Sequence, residues 1–370
     1  MEPATMARQQ AAMRSHGLDA LIAVSTDNVA YGAGYTVPSQ ALGMRHRQFA
    51  VLATADGDSA MLLTTNEVDE ARQRSGITAL TGYDEFTEDP MAVLAGMVRE
   101  RGLERATIGV EFDVLPAARW KSLRQELPHA RFVPAAPAFD EARMIKTPTE
   151  IAHLRKAAEI AMEGQLAAHR RFTAGMTEHE AYCLLADEVL ARGAEKIVMI
   201  QIAAGNRSTL SNPTPGPTKF TAGEAVKIDV FVTSNGYLSD TGRTVTIERS
   251  TPRQRDTWAK MNDVMDLLRD AVRPDVTTGE LWCLFVREFE RRGLAPAIRF
   301  LGHGLGLGLH EEPYIAAHAD TLLQPGMVFA IEPIAVDEGN GYHLEDILLV
   351  TEDGHENLTP KFPRELVACP

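Results

Sequence analysis

The stretch Lys227-Ile-Asp229-Val-Phe-Val-Thr-Ser-Asn-Gly236-Tyr-Leu-Ser-Asp240 places two carboxylates on either side of an Asn-Gly turn. An apolar run that meets Asn-Gly and then resumes is typical of a β-hairpin. A hairpin here would bring Asp229 and Asp240 side by side on neighbouring strands. The sequence therefore predicts a pair of acids carried by one hairpin.

A second pair of acids has similar surroundings later in the chain. Glu332 follows the apolar run Phe329-Ala-Ile, and Glu345 lies within Tyr342-His-Leu-Glu345-Asp-Ile-Leu. Both runs have the length and apolar character of short strands. Four carboxylates are thus expected on strands, two from each half of this region.

Helix-start signals indicate that the two halves are copies of one unit. A Thr followed three residues later by Glu or Gln, the pattern of a capping box, recurs at Thr147, Thr177, Thr251 and Thr277. Asp229 lies 82 residues after Thr147, and Glu332 lies 81 residues after Thr251. The spacings from the same threonines to Asp240 and Glu345 are 93 and 94 residues. This regularity predicts a duplicated helix–helix–strands unit.

The four acids predict a centre of two metal ions. Carboxylates that converge from apolar strands cannot all stay ionised without a counter-charge. Two divalent cations would supply it, and such a pair can activate water for hydrolysis. The stretch Leu301-Gly-His303-Gly-Leu-Gly-Leu-Gly-Leu-His310-Glu-Glu-Pro313 offers a nitrogen ligand, because its glycines let one imidazole come close to a metal.

The composition bounds the remaining alternatives. The 370 residues are 45% hydrophobic with a net charge of −14, which favours a two-domain globular protein and excludes intrinsic disorder. The acidic balance argues against nucleic acid as a partner. We find no membrane-length apolar stretch and no signal-like start, and the three cysteines suit a reducing compartment, so we expect a cytoplasmic protein. Cys183 and Cys283 are predicted as core residues.

Short apolar runs alternate with helical patterns before residue 146. Leu21–Val24, Phe49–Leu52 and Ala106–Val110 have strand length, whereas Met91–Gly102 carries apolar residues at helical spacing. This alternation predicts an α/β domain over residues 1–145, followed by the duplicated domain over residues 146–370.

Together these residues resemble the pita-bread metallohydrolases, which include methionine aminopeptidase, aminopeptidase P, prolidase and creatinase. The likeness covers nearly the whole chain. It implies an α+β pita-bread C-terminal domain and a smaller α/β N-terminal domain of the creatinase/prolidase type. The family's metal ligands map onto Asp229, Asp240, His303, Glu332 and Glu345.

The resemblance also implies roles for these residues. Asp229 would chelate one ion, Asp240 and Glu345 would bridge both, and His303 and Glu332 would hold the other. A water bridging the ions would attack the substrate carbonyl. His310 would stabilise the resulting oxyanion, and Glu332 would relay a proton to the leaving amine. The oxygen-rich set favours Mn²⁺, Fe²⁺ or Co²⁺ over Zn²⁺.

Four positions depart from the family pattern. Asn212 stands where the peptidases often have a histidine, and Tyr314 and His343 stand where they often have arginines. We therefore assign Asn212, Tyr314 and His343, with His310, to the substrate site, and a plain surface histidine remains an alternative for His343. The Asp-x-Thr-Arg-Thr motif has Gly242 in place of its first Thr.

The expected activity is hydrolysis of an amide bond in a small peptide, nearest to that of an Xaa-Pro aminopeptidase or dipeptidase. The first alternative is a non-proteolytic enzyme of the same fold that acts on a small amide, as creatinase or ectoine hydrolase does. A metal-free binding module is a further alternative. The resemblance implies a homodimer, in which Arg45 and Arg47 could meet a substrate anion or simply lie in a solvated loop.

Overall fold

The structure is a computed structural model that describes residues 3–44 and 47–370, the side chain of Ala41 excepted. It divides into two compact units, the first ending at Arg143 and the second spanning Met144–Pro370. This division lies near the boundary predicted after residue 145.

The N-terminal unit is built on a six-stranded mixed sheet. Its helices are α1 (Pro3–Ser15), α2 (Thr26–Ala33), α3 (Val68–Arg74), α4 (Pro90–Glu100), α5 (Ala117–Glu126) and α6 (Ala136–Met144). Its strands are β1 (Ala20–Ala23), β2 (Ala50–Thr54), β3 (Ser59–Thr64), β4 (Ala79–Tyr83), β5 (Thr107–Val110) and β6 (Arg131–Pro134). The strand order is β4-β3-β2-β1-β5-β6. All residues of β1 and β2 are buried, as expected for central strands covered on both faces.

Arg47 is held by acids of its own unit. Its Nε and Nη2 donate to the two carboxylate oxygens of Glu85 at 2.8 and 3.1 Å, and Glu67 lies 3.5 Å from Nη1. The guanidinium is therefore already neutralised, which argues against both a free anion site and a solvated side chain. Arg45, the other residue of that prediction, lies outside the described residues.

The C-terminal unit contains two helix pairs and three sheets. Its helices are α7 (Pro148–His169), α8 (Glu178–Ala191), α9 (Pro252–Ala271) and α10 (Thr278–Arg291). Its strands are β7 (Lys196–Ala204), β8 (Ala225–Ser234), β9 (Tyr237–Leu238), β10 (Thr241–Ile247), β11 (Phe300–Gly304), β12 (Glu311–Ala316), β13 (Val328–Ile331), β14 (Ile334–Asp337), β15 (Asn340–His343), β16 (Asp346–Val350), β17 (His355–Asn357) and β18 (Ala368–Cys369). The orders are β18-β10-β8-β7, with β9 on β8, then β12-β11-β13-β16-β17, and β14-β15.

Matching details in the two halves confirm the predicted duplication. All four helices begin with a capping box, in which the cap Thr and the acid or amide three residues later bond each other's backbone. Thr177 and Thr277 each also form an isolated antiparallel bridge, to Lys219 and Leu322. Each helix pair contributes to a core with the sheet of its own half.

Two further predictions concern the surface. Cys183 and Cys283 are exposed, so their predicted core positions are wrong. Their helices turn those positions outward, which an apolar neighbourhood in sequence does not reveal.

None of the helices in the described part of the chain is long and apolar enough to cross a membrane.

A close backbone contact fixes the strand that carries His303. Strand β11 lies between β12 and β13, and Gly302 pairs with Ile331. A Cβ atom at residue 302 would lie well inside contact distance of the carbonyl oxygen of Ala330. Only glycine fits there, because that oxygen belongs to backbone and cannot move aside.

We expect Gly302→Ala to lower the melting temperature by about 5 °C or more, since overpacking commonly costs about 1–3 kcal/mol or more. Gly354→Ala is the matched control, because nothing lies within 4 Å of a Cβ atom there. Thermal unfolding followed by circular dichroism would measure both. Equal melting temperatures for the two variants would contradict the steric argument.

Candidate metal centre

The predicted hairpin is present and carries the first two acids. Asn235 and Gly236 connect β8 to β9 with φ values of 49° and 79°, the left-handed conformation that this turn requires. Asp229 on β8 pairs with Gly242 on β10. Asp240, two residues before Gly242, therefore lies diagonally across from Asp229 on the same face.

The other two acids lie just beyond the ends of another strand pair. Ile331 at the end of β13 pairs with Asp346 at the start of β16. Glu332 follows the first and Glu345 precedes the second, so the two acids leave this sheet at one edge. The Glu345 amide also donates to the carbonyl of Gly242 at 3.1 Å, which links this pair to the first hairpin.

The acids meet two imidazoles in a buried cluster. Nε2 of His303 lies 3.4 Å from Asp240 Oδ2 and 3.5 Å from Glu332 Oε1. Asp240, His303 and Glu345 offer donor atoms within 4.8 Å of one another, and so do Asp229, His343 and Glu345. Two ligands of one ion stand about 3.0–3.5 Å apart when the metal bonds are about 2.1 Å. The separations of 3.4 and 3.5 Å at His303 fall in this range, and the two groups form two candidate cation sites that share Glu345.

Within the described ranges, six donor atoms of this cluster lack a hydrogen-bond partner. Among the described residues, no hydrogen bond reaches Oδ1 of Asp229, Oδ1 of Asp240, either carboxylate oxygen of Glu345, or Nε2 of His303 and His343. Buried polar atoms are nearly always paired, and an unpaired one costs about 1–3 kcal/mol. A bound cation would satisfy all of them, so these residues fit a divalent metal centre.

The electrostatics of the site point the same way. Burial, followed by repulsion from neighbouring acids, raises the pKa of Asp240 and Glu345 well above the usual range, and burial also raises the pKa of Asp229. Burial would raise the pKa of Glu332 as well, but His303 and His343 lower it to about 2. Three of the four acids therefore need a further positive charge to stay ionised.

His343 lies in the cluster and is not a surface histidine. The residue is only 2% exposed, and its Nε2 lies 3.5 Å from both Glu332 Oε2 and Glu345 Oε2. The alternative of a surface histidine is therefore wrong, whereas the assignment to the substrate site stays a prediction. Its position two residues before Glu345 was the signal for its place beside the acids.

His310 and Tyr314 lie together beside His303. The His310 ring stacks on the His303 ring with centroids 3.7 Å apart, and the Tyr314 hydroxyl lies 3.3 Å from His310 Nδ1. Burial and then the neighbouring His303 lower the pKa of His310 to about 4. His310 is therefore a neutral imidazole at the edge of the acid cluster, held by two rings.

Asn212 is linked to the acid cluster through Gln201. It is exposed, and its Oδ1 accepts a hydrogen bond from Gln201 at 3.0 Å. Gln201 in turn pairs with Asp229 across β7 and β8. Lys227 Nζ donates to the carbonyls of Leu210 and Ser211 and so holds the segment that carries Asn212.

A buried ionic network that sequence reasoning missed supports the Glu345 backbone. Arg243 donates to the Glu345 carbonyl and, at 2.5 Å, to Asp346 Oδ1, while Arg269 Nε donates to Asp346 Oδ2 at 2.8 Å. Burial would raise the pKa of Asp346, but the two guanidinium groups lower it below the usual value. Arg243 belongs to the Asp-x-Thr-Arg-Thr motif and Asp346 to the Glu-Asp pair, so the motif residues next to the predicted ligands were the available signal.

Comparison with known proteins identifies the family of this chain. The model of metallopeptidase family M24 matches residues 152–352, and the model of the creatinase/prolidase N-terminal domain matches residues 6–145. The Xaa-Pro dipeptidase of Lactobacillus helveticus is 30% identical over 344 residues, which cover 90% of this chain and 90% of that protein.

Solved structures give the same result. The dipeptidase PepE from Mycobacterium ulcerans superposes with a TM-score of 0.86 at 26% identity, covering 99% of this chain and 97% of that one. The prolidase from Pyrococcus furiosus superposes with a TM-score of 0.82 at 25% identity, covering 95% and 99%. The family implies divalent metal ions. The chain belongs to metallopeptidase family M24 and is a metallohydrolase of the pita-bread fold with a creatinase/prolidase N-terminal domain.

Proposed function

We propose that this enzyme hydrolyses the amide bond of small Xaa-Pro peptides at a centre of two divalent ions, Mn²⁺ first among them and Co²⁺, Fe²⁺ or Zn²⁺ as alternatives. The proposed ligands are Asp229, Asp240, His303, Glu332 and Glu345. The observation that carries the proposal is the set of buried oxygen and nitrogen atoms that face one another and have no hydrogen-bond partner in the part of the chain that the structure describes. The Xaa-Pro dipeptidase and prolidase relatives support the substrate class.

The ions would supply Lewis acidity and an activated water when bound. Glu332 lies with one oxygen near His303 and the other near His343, so it is placed to carry a proton between the site and the leaving amine. Asp240 and Glu345 approach from opposite halves of the unit, which suits acids shared between two cation sites.

His310 is proposed to donate a hydrogen bond to the oxyanion that forms at the substrate carbonyl. If the Tyr314 hydroxyl donates to Nδ1 of His310, the ring proton of the neutral imidazole resides on Nε2. Stacking on His303 fixes the plane of the ring. Asn212, Tyr314 and His343 complete the proposed substrate surroundings.

The proposal extends to a homodimer, which the resemblance to creatinase-like enzymes implies. It also extends to a cytoplasmic location, which the three free cysteines support.

The substrate class is tested on metal-stripped protein supplied with Mn²⁺, Co²⁺ or Zn²⁺. We expect metal-dependent cleavage of Xaa-Pro dipeptides, measured as release of free proline. Small cyclic amides and creatine-like compounds form the second arm of the panel. Turnover confined to that second arm would replace the peptidase by the non-proteolytic alternative.

We expect Glu345→Ala to lower kcat/KM by at least a thousandfold and to reduce the bound metal, because Glu345 belongs to both cation groups. Metal content by mass spectrometry and initial rates would measure the effect. Glu352→Ala, at an exposed glutamate, is the control and should leave both values unchanged. A folded Glu345→Ala protein with the wild-type rate would refute the assignment.

Tyr314→Phe should lower kcat about three- to tenfold with little change in KM, because it removes one hydrogen bond to His310, worth about 0.5–1.5 kcal/mol. His310→Ala should cost about a hundredfold or more, since it removes the proposed oxyanion donor itself. Steady-state kinetics on one peptide would compare them. A larger loss for Tyr314→Phe than for His310→Ala would contradict the proposed order of roles.

A further inference from the structure

We propose that His343 is a sixth protein ligand of the metal centre and binds the ion on the Asp229 side. This inference rests on the metal centre of the proposed function and goes beyond its five ligands. It moves His343 from the substrate site to the metal site. Each of the two cation groups then contains one imidazole, His303 beside Asp240 and His343 beside Asp229.

Three acids lie close to the ring nitrogens of His343. Nε2 lies 3.5 Å from Glu332 Oε2 and from Glu345 Oε2, and Nδ1 lies 3.9 Å from Asp229 Oδ2. These separations exceed hydrogen-bond length. With one donor atom from each residue, Asp229, His343 and Glu345 lie within 4.8 Å of one another, so one ring nitrogen can share an ion with both acids. Nε2 is buried and has no hydrogen-bond partner within the described ranges.

The backbone holds the ring in this place. His343 is the last residue of β15, and its amide donates to Thr244 Oγ1 at 2.9 Å. Thr244 lies on β10, the strand that also carries Gly242. The side chain is therefore anchored to the hairpin that presents Asp229 and Asp240.

Gly242 makes room for the imidazole. A Cβ atom at residue 242 would lie 2.5 Å from His343 Nδ1 and 2.6 Å from its Cγ, closer than any real contact. Gly242 pairs directly with Asp229, so a side chain there would occupy the space between the ring and that acid. The imidazole of His343 can therefore occupy this place only because residue 242 is a glycine.

A second imidazole changes the chemistry of the centre. An all-oxygen partner set on the Asp229 side would favour hard ions, whereas an imidazole nitrogen increases affinity for Zn²⁺ and Co²⁺ relative to Mn²⁺. The metal preference of this chain should therefore depend on His343. A role as substrate contact would not produce that dependence.

Metal-stripped full-length protein should be titrated with Zn²⁺ and with Mn²⁺ in a calorimeter. We expect the wild type to bind two Zn²⁺ ions, and His343→Gln to weaken one of the two sites at least tenfold, with a smaller loss for Mn²⁺. Gly242→Ala should reproduce the zinc loss with the histidine still present. His318→Ala, at an exposed histidine, should bind both ions as the wild type does.

Anomalous diffraction from wild-type crystals soaked in Zn²⁺ provides a readout that needs no variant. We expect an ion about 2.0–2.2 Å from a ring nitrogen of His343. Two ions with His343 more than about 3 Å from either, or unchanged zinc affinity in a folded His343→Gln protein, would overturn this inference and leave the five-ligand centre in place. Failure of the wild type to bind any ion would overturn both.

Discussion

The C-terminal unit depends on one constraint, the negative charge that is buried where its two halves meet. Asp229, Asp240, Glu332 and Glu345 are each at most 8% exposed. Isolated ionised carboxylates in such surroundings carry a penalty of several kcal/mol each. Two imidazoles and the nearby Lys227 offset part of it, and divalent cations would offset the rest. Bringing these acids together lowers the stability of the fold, and buried clusters of this kind are typical of functional sites.

The surrounding structure keeps this cluster from relaxing. Arg243 and Arg269 fix Asp346 and, through the Glu345 carbonyl, the backbone that carries the shared acid. The absence of a side chain at Gly302 lets β11 approach β13 closely enough to bring His303 into place. These supports lie on both halves of the duplicated unit, so the site forms only when the halves are packed together.

Gly242 and His343 are physically connected in this chain. Gly242 leaves a space, and the imidazole of His343 fills it next to Asp229. An arginine at position 343 would bring a permanent charge that cannot bind a metal. An imidazole at that point can serve as a ligand, and this difference links the metal chemistry of the site to its substrate surroundings.

Local sequence patterns predict much of this architecture. Capping boxes, the Asn-Gly turn and the repeated spacing depend on neighbours a few residues apart, so they predicted the four helices, the hairpin and the convergence of the acids. Sequence reasoning failed where direction in space matters. Cys183 and Cys283 turned out exposed, and Arg47 turned out to be paired with Glu67 and Glu85. The sequence alone therefore determined the duplicated helix–helix–strands unit and the set of acids, and the resemblance of its motifs implied the fold family. Only the tertiary structure decided that His343 faces those acids, because its surroundings depend on the missing side chain at Gly242, a residue distant in sequence that packing makes a neighbour.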